Sequence, residues 1–247
     1  QGLVTGNLGM SLTSGADISP LVFDRLQVSI ILVGCAMVMA LGLSIPLGVW
    51  AARRARKWDG VAITVLSQIG IAIPSFLAAI LLVAWFAVRL KWVPANGWSV
   101  PSEDFGGFVA RLILPVISLG IVQAAIMTRY VRSAVLDVMD EDFMRTARAK
   151  GLSPGQALMA HGLRNAALPV LTVTGLQITN LLIGVVIEKV FVIPGLGSML
   201  LQAVTDRDLP TVQTIVMVLV IFAVVVNAMV DVAYAVVDPR TRSEVTA

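Results

Sequence analysis

"RTARAKGLSPGQALMAHGLRN", residues 145–165, carries Arg145, Arg148, Lys150 and Arg164 and no acidic residue. The order of residues in and around it specifies a shape. Asp140, Glu141 and Asp142 stand ahead of Arg145, Arg148 and Lys150, the sign order that a helix dipole favours. Gly151 follows where a helix would take a C-terminal glycine cap. Ser153 suits an N-cap and Pro154 the first position of a new helix. The stretch therefore predicts a helix, a glycine corner and a short second helix that runs on into the next apolar segment. Holding such a corner costs ordering entropy that a plain tether would avoid. Two readings stand side by side: an amphipathic loop resting on anionic lipid, or a docking element for a second protein. His161 is the only histidine, which excludes a histidine-cluster metal site and leaves it a packing or polar contact role.

Outward from this corner the chain is mostly apolar, 57% hydrophobic and 13% charged over 247 residues. Soluble domains are near a quarter charged, so the balance points to a bilayer. Crossing about 30 Å of hydrocarbon takes roughly 20 helical residues. Ser29–Trp50, Val61–Val88, Ala166–Ile187 and Leu209–Val230 carry no charge, and Leu112–Thr128 can lengthen by a turn if Arg111 and Arg129 snorkel. The reading is an all-α integral membrane protein with five spans, because only helices or closed barrels satisfy the backbone in lipid and the barrel's alternation is absent. There is no internal repeat and no linker to a second domain.

The basic residues orient the chain. If the five spans alternate, Arg53–Lys57, the cations from Arg129 to Arg164, and Arg240 and Arg242 fall on one side. The minority, Arg25, Arg89, Lys91, Arg111, Lys189 and Arg207, fall on the other. The majority side is cytoplasmic, with the C-terminus inside and the N-terminus outside. This accounts for the isoelectric point near 9.4 without nucleic acid. It also translocates residues 1–28 with no signal peptide, so a further span is expected upstream of Gln1. Cys35, the lone cysteine, is expected to pack inertly within its span.

Along the chain, Gly6–Pro20 reads as an outer loop and Asp24 as the cap of the first span. Pro46 and Pro74 are expected to kink their helices. Trp85, Trp92 and Trp98 read as interfacial anchors. Gln68, Gln123, Gln177, Asn180 and Asn227 are polar groups within spans, where they either bond between helices or line a route. Gln123, Gln177 and Asn180 are the pathway candidates, the last two on one helix face. Asp231 is expected to pair with a cation or reach the interface. Glu188, with Pro194 and Gly195 in "IPGLG", either rims an outer gate or anchors at the interface, the glycines permitting tight turns.

"RTARAKGLSP…HGLRNAALPVLT" resembles the cytoplasmic coupling (EAA) loop of ABC importer permeases in its dipeptide/oligopeptide and nickel form. Where the general pattern has Glu-Ala-Ala, this chain has Arg145, Thr146 and Ala147, and its Leu-Pro pair comes late, at Leu168–Pro169. Both departures resemble the peptide branch. "GNLGMSL", "FVIPGLGSMLLQAVTDRDLPTVQ" and "NAMVDVAYAVVDPRTR" are similar to the outer loops and closing span of that branch's first (B-type) permease subunit.

The resemblance implies a type I ABC importer transmembrane fold, with the family's first helix missing ahead of Gln1. Residues 1–25 would be an extracytoplasmic loop, 26–237 the permease domain with the coupling loop at 140–165, and 238–247 a cytoplasmic tail. Arg145, Thr146, Ala147, Arg148, Lys150, Gly151, Leu152, Ser153 and Pro154 would form the loop's contact with an ATPase subunit. Arg164 would contact the ATPase or lipid. The expected partners are a second homologous permease subunit, two ATPase subunits or domains, an extracytoplasmic binding protein and the bilayer. The setting is a bacterial or archaeal cell membrane. ATP and Mg would be bound by the ATPases and no cofactor by this chain, which has no G-x-x-x-x-G-K-[ST] loop and is not an enzyme. The expected function is inward movement of short peptides by alternating access. Nickel, haem, sugar or another small solute on the same architecture is the alternative cargo. An ion-coupled secondary transporter and a structural scaffold are the rivals from other classes.

Overall fold

The computed structural model describes residues 8–182 and 185–237. Expectations that fall on Gly6 and Asn7, on residues 183 and 184 of the fourth span, and on the tail from Asp238 with Arg240 and Arg242 lie outside them. Apart from one isolated bridge between Met10 and Asp17, the regular structure described is helical. In chain order it comprises α1 (Ile18–Arg53), α2 (Trp58–Ala72), α3 (Ser75–Leu82, widening to π spacing over Val83–Arg89), α4 (Phe105–Met139) and α5 (Asp142–Ala149). Then follow α6 (Pro154–Ala157, leading through a π turn at Leu158–Gly162), α7 (Leu163–Leu182), α8 (Val185–Val190), α9 (Leu196–Thr205) and α10 (Leu209–Val237).

Among the described residues, three helices, α1, α4 and α10, are long and apolar enough to cross a membrane, and a fourth span results if α2 and α3 count together. This corrects the expectation at one place. Pro74 does more than kink the Val61–Val88 run: α2 stops at Ala72, Ile73 is extended, and a separate helix, α3, begins at Ser75. The ring of a proline drives the residue before it out of the helical region, so the break falls where chemistry puts it. The Ala166–Ile187 run is helical on both sides of residues 183 and 184, as α7 and α8, and α7 carries Thr172, Thr174, Gln177, Thr179 and Asn180, which make it less apolar than the three long helices. Pro46, by contrast, lies inside an unbroken α1.

α1 also starts earlier than Asp24. Asp17 Oδ1 accepts from the Ser19 backbone N–H at 2.9 Å and its hydroxyl at 2.7 Å, capping the helix at Ile18. The extra turns are held by packing, since Ile18 and Val22 are buried against Leu196, Met199 and Ile215.

The chain forms two compact units. The first combines residues 1–37, 74–120 and 178–225. Its core has two clusters: the one just named, and another in which Leu32, Ala79, Leu114 and Phe191 are buried together. Trp98 packs edge-on to Phe108, with ring centres 5.2 Å apart, while Trp85 and Trp92 are exposed as anchors would be. Cys35 is exposed instead of packed.

The second unit combines residues 38–73, 121–177 and 226–247. Its core gathers Ala52, Val135, Val138, Met144, Ala147, Ala157 and Leu158. Helices approach closely at glycines: a Cβ on Gly48 would lie 2.6 Å from Val131, and one on Gly175 2.7 Å from Val230. Small residues that let backbones meet are how helices associate in lipid, where burial of apolar surface offers little drive. Polar fastening adds to this: the Tyr234 hydroxyl contacts Thr172 and donates to the Leu168 carbonyl at 2.9 Å.

Candidate functional site

The basic corner of the second unit is built from local rules. α5 ends in a Schellman motif, with the Leu152 N–H donating to the Ala147 carbonyl and the Gly151 N–H to that of Arg148. Gly151 has φ +95° with open space around it, so the glycine is required by conformation and not by room. Two residues on, Ser153 and Gln156 form a reciprocal capping box: Ser153 Oγ accepts from the Gln156 N–H, and Ser153 N–H donates to Gln156 Oε1 at 3.0 Å. Pro154 takes the first helical position. The backbone thus turns from α5 into α6 with both helix ends satisfied.

The side chains divide by face. Arg145, Thr146, Arg148, Lys150, Ser153 and Pro154 are exposed, and Gly151 with them; Leu152 is half-buried. Ala147 is turned inward at 7% exposure, beside Met144 and Leu158. It seats the corner against that core and also lines part of the cleft beside it. Arg145 pairs with Asp142 at 3.2 Å, an exposed contact of little energy. Arg164 donates from Nε to the Val237 carbonyl, closing the C-terminal end of α10. A cleft of about 800 Å³ lies against the corner, with Thr146, Lys150, His161 and Arg164 in its wall. Cations predominate there, so it favours acidic groups.

Of the side-chain amides singled out in the spans, Gln123 alone is buried; its Nε2 has no hydrogen-bond partner among the described residues. Gln177 is half-buried, and Gln68, Asn180, Asn227 and Asp231 are exposed. Asp231 forms no ion pair among the described residues.

The first unit carries a second polar cluster. Glu188 is 4% exposed and its carboxylate accepts from the Ser29 hydroxyl and the Ser198 N–H, each at 2.7 Å. Ser29 in turn accepts from the Leu196 N–H at 2.9 Å. These are orphan donors of the first turn of α9, and an anion there also meets the positive end of the helix. Glu188 thus caps the first turn of α9, and with Pro194 it also lines a cleft in this unit. Gly195 has an ordinary φ of −100°; the positive φ in this turn belongs to Val192. What Gly195 supplies is room, since a Cβ there would collide with the Glu188 carboxylate. Pro194 is half-buried beside it.

Asp208 went unread in the sequence. It accepts from the Ser11 hydroxyl, the Thr211 hydroxyl at 2.8 Å and the Leu12 N–H at 3.2 Å, tying the N-terminal segment to the start of α10. The Ser11 hydrogen bond foremost, with those from Thr211 and Leu12, lowers its carboxyl from 3.8 to about 2, against the opposing effect of burial. An aspartate just ahead of an apolar run is a cap signal that was available, whereas Ser11 lies 197 residues away. Between these two clusters is a cleft of about 530 Å³ whose wall includes Asp17, Arg25, Lys189, Gln202 and Asp206.

Bilayer-length helices with a capped basic corner are the parts of a membrane subunit that meets a second protein. Residues 44–243 match the family model for the binding-protein-dependent transport system inner membrane component, and the chain belongs to that family. It is a non-catalytic, multi-pass permease of the bacterial inner membrane. The chain is 39% identical over 242 residues to the oligopeptide transport system permease protein AppB of Bacillus subtilis (strain 168), covering 96% of this chain and 77% of that protein. A putative peptide transport system permease of Brucella abortus (strain 2308) is 41% identical over 96% of this chain and 76% of its own length. Among solved structures, a chain of the inward-facing MetNI methionine ABC transporter superposes with a TM-score of 0.70 at 17% identity, over 88% of this chain and 96% of that one, a likeness of fold. Membership in the family implies a binding protein and an ATPase as working partners.

Proposed function

We propose that this chain is the first permease subunit of an ATP-driven importer of short peptides, and that residues 145–154 are its contact with an ATPase. The carrying observation is the corner itself: two capped helix ends hold Arg145, Arg148 and Lys150 exposed on a backbone anchored by Met144 and Ala147. A rigid lever of this kind transmits displacement, where a tether would absorb it. Cations on its outer face suit charge-assisted hydrogen bonds to acidic residues of a partner.

In this reading the corner and the C-terminus are cytoplasmic, following the excess of Lys and Arg on that side. ATP and Mg are bound by two ATPase subunits. A second homologous permease completes the route. A binding protein delivers peptide on the opposite side, where the cleft lined by Asp17, Arg25, Lys189 and Asp206 offers both signs of charge to its surface. Gln123, Gln177 and Asn180 are the polar groups proposed for the route. The peptide assignment is supported by the relatives at about 40% identity, whose names specify peptides or oligopeptides.

Uptake in a strain lacking the transporter tests the cargo. Complementation should restore uptake of labelled di- to pentapeptides, and unlabelled peptide should compete while Ni²⁺ does not. Restored nickel uptake without peptide uptake would replace the cargo and leave the architecture intact.

A further inference from the structure

In the second unit, the end of α1 and the turn entering α7 enclose a cleft of about 600 Å³ that none of the roles above uses. Its lower wall is apolar: Ile45 and Val49 from α1, Met159 and Leu163 from the opposite side. Its rim is cationic, with Arg53, Arg54 and Lys57 beside Trp50. The one acid nearby, Asp59, is already engaged, accepting from Arg54 at 2.5 Å and from the Trp50 indole N–H at 3.0 Å. Arg54 also lies over the Trp50 ring, 5.4 Å from its centre. Arg53 and Lys57 have no acidic partner among the described residues. The Arg53 guanidinium lies alongside Gly155, where a Cβ would crowd it. From Ile45 to Arg53 the helix rises ~12 Å, so apolar wall and charged rim are separated by the depth that separates upper acyl chain from phosphate.

We infer that this cleft binds an anionic glycerophospholipid of the cytoplasmic leaflet, its phosphodiester held by Arg53 and Lys57 and its first methylenes laid against Ile45, Val49 and Leu163. A soluble anion would use only the rim. An acidic protein surface would leave the apolar wall, which runs down a bilayer-crossing helix, uncovered. The assignment of leaflet rests on the proposed topology, with the Arg53–Lys57 turn in the cytoplasm. The cleft flanks α6, so an occupant would brace the same corner that meets the ATPase.

The test uses the assembled transporter, purified in mild detergent and titrated with phosphatidylglycerol or phosphatidylcholine while bound lipid is counted by native mass spectrometry. Phosphatidylglycerol should be retained in preference. Arg53→Gln and Lys57→Gln should each weaken it about fivefold, the effect of one interfacial cation, and leave phosphatidylcholine unchanged. Arg145→Gln should have no effect. Met159→Trp, at an exposed position, should weaken retention by filling the apolar wall without touching charge. Equal retention of the two lipids, indifference to Arg53 and Lys57, or displacement by glycerol 1-phosphate at the same concentration would overturn the inference. So would labelling of Lys57→Cys from outside the cell, which would move the rim to the wrong leaflet. Failure of peptide uptake in the wild type would sink the cargo assignment and leave these lipid ratios standing, which separates the two outcomes.

Discussion

A Cβ on Gly195 would occupy the space of the Glu188 carboxylate, and that carboxylate is an acceptor for the first turn of α9. Gly195→Ala should therefore displace the cap and destabilise the subunit by about 1–3 kcal/mol. Glu188→Gln, which keeps the shape and one acceptor, should cost less. Thermal denaturation of the purified complex would show this order; a wild-type midpoint for Gly195→Ala would refute the packing account. Asp208 supplies a pH test. Its folded pKa, about 2, lies below the ordinary 3.8, so its stabilisation is complete above 3.8 and is lost as pH falls through about 2. Asp208→Asn should accordingly loosen the N-terminal segment near neutral pH, and the difference from wild type should shrink between about pH 4 and 2. Amide hydrogen exchange over residues 8–17 tests the neutral-pH arm, and proteolysis by pepsin the acid arm; a constant difference down to pH 2 would contradict it.

The corner was legible because every rule that builds it spans three or four residues: Gly151 after α5, Ser153 with Gln156, Pro154 at the start of α6. It should be correspondingly easy to damage. Gly151→Ala places a side chain in the left-handed region, at about 1–2 kcal/mol, and Ser153→Ala removes a cap worth about 1 kcal/mol. Gly151→Pro cannot adopt the observed φ at all and should abolish transport-coupled ATP hydrolysis while the protein remains membrane-inserted. Coupling ratios in proteoliposomes, hydrolysis per peptide moved, would register the series, and unchanged coupling in Gly151→Pro would exclude a rigid lever. Elements set by distant contacts were not legible. Ser29, one partner of Glu188, is 159 residues away, and although Asp17 offers a local cap, the turns it opens are held by burial against Leu196, Met199 and Ile215. Pro74 was recognisable as a disruption, and the break falls at Ile73, the residue before it.

On the scale of the whole chain, the second unit combines apolar helices that meet closely at glycines with the charged, capped corner. The family match over residues 44–243 puts the chain among binding-protein-dependent transport components, which neither a scaffold nor an ion-coupled carrier would account for. Copurification should recover an ATPase and a second permease with this subunit. Charge reversal at Arg148 should weaken retention of the ATPase with little change in stability, since the residue is exposed and unpaired among the described residues. The most direct measurement is photo-crosslinking from position 148 in the assembled transporter. An Arg148 replacement bearing a photoreactive group should capture the ATPase subunit, with yield changing when nucleotide is added, while the same group at Leu12 captures none. Crosslinks from position 148 to lipid alone, or to no ATPase in either nucleotide state, would contradict the account.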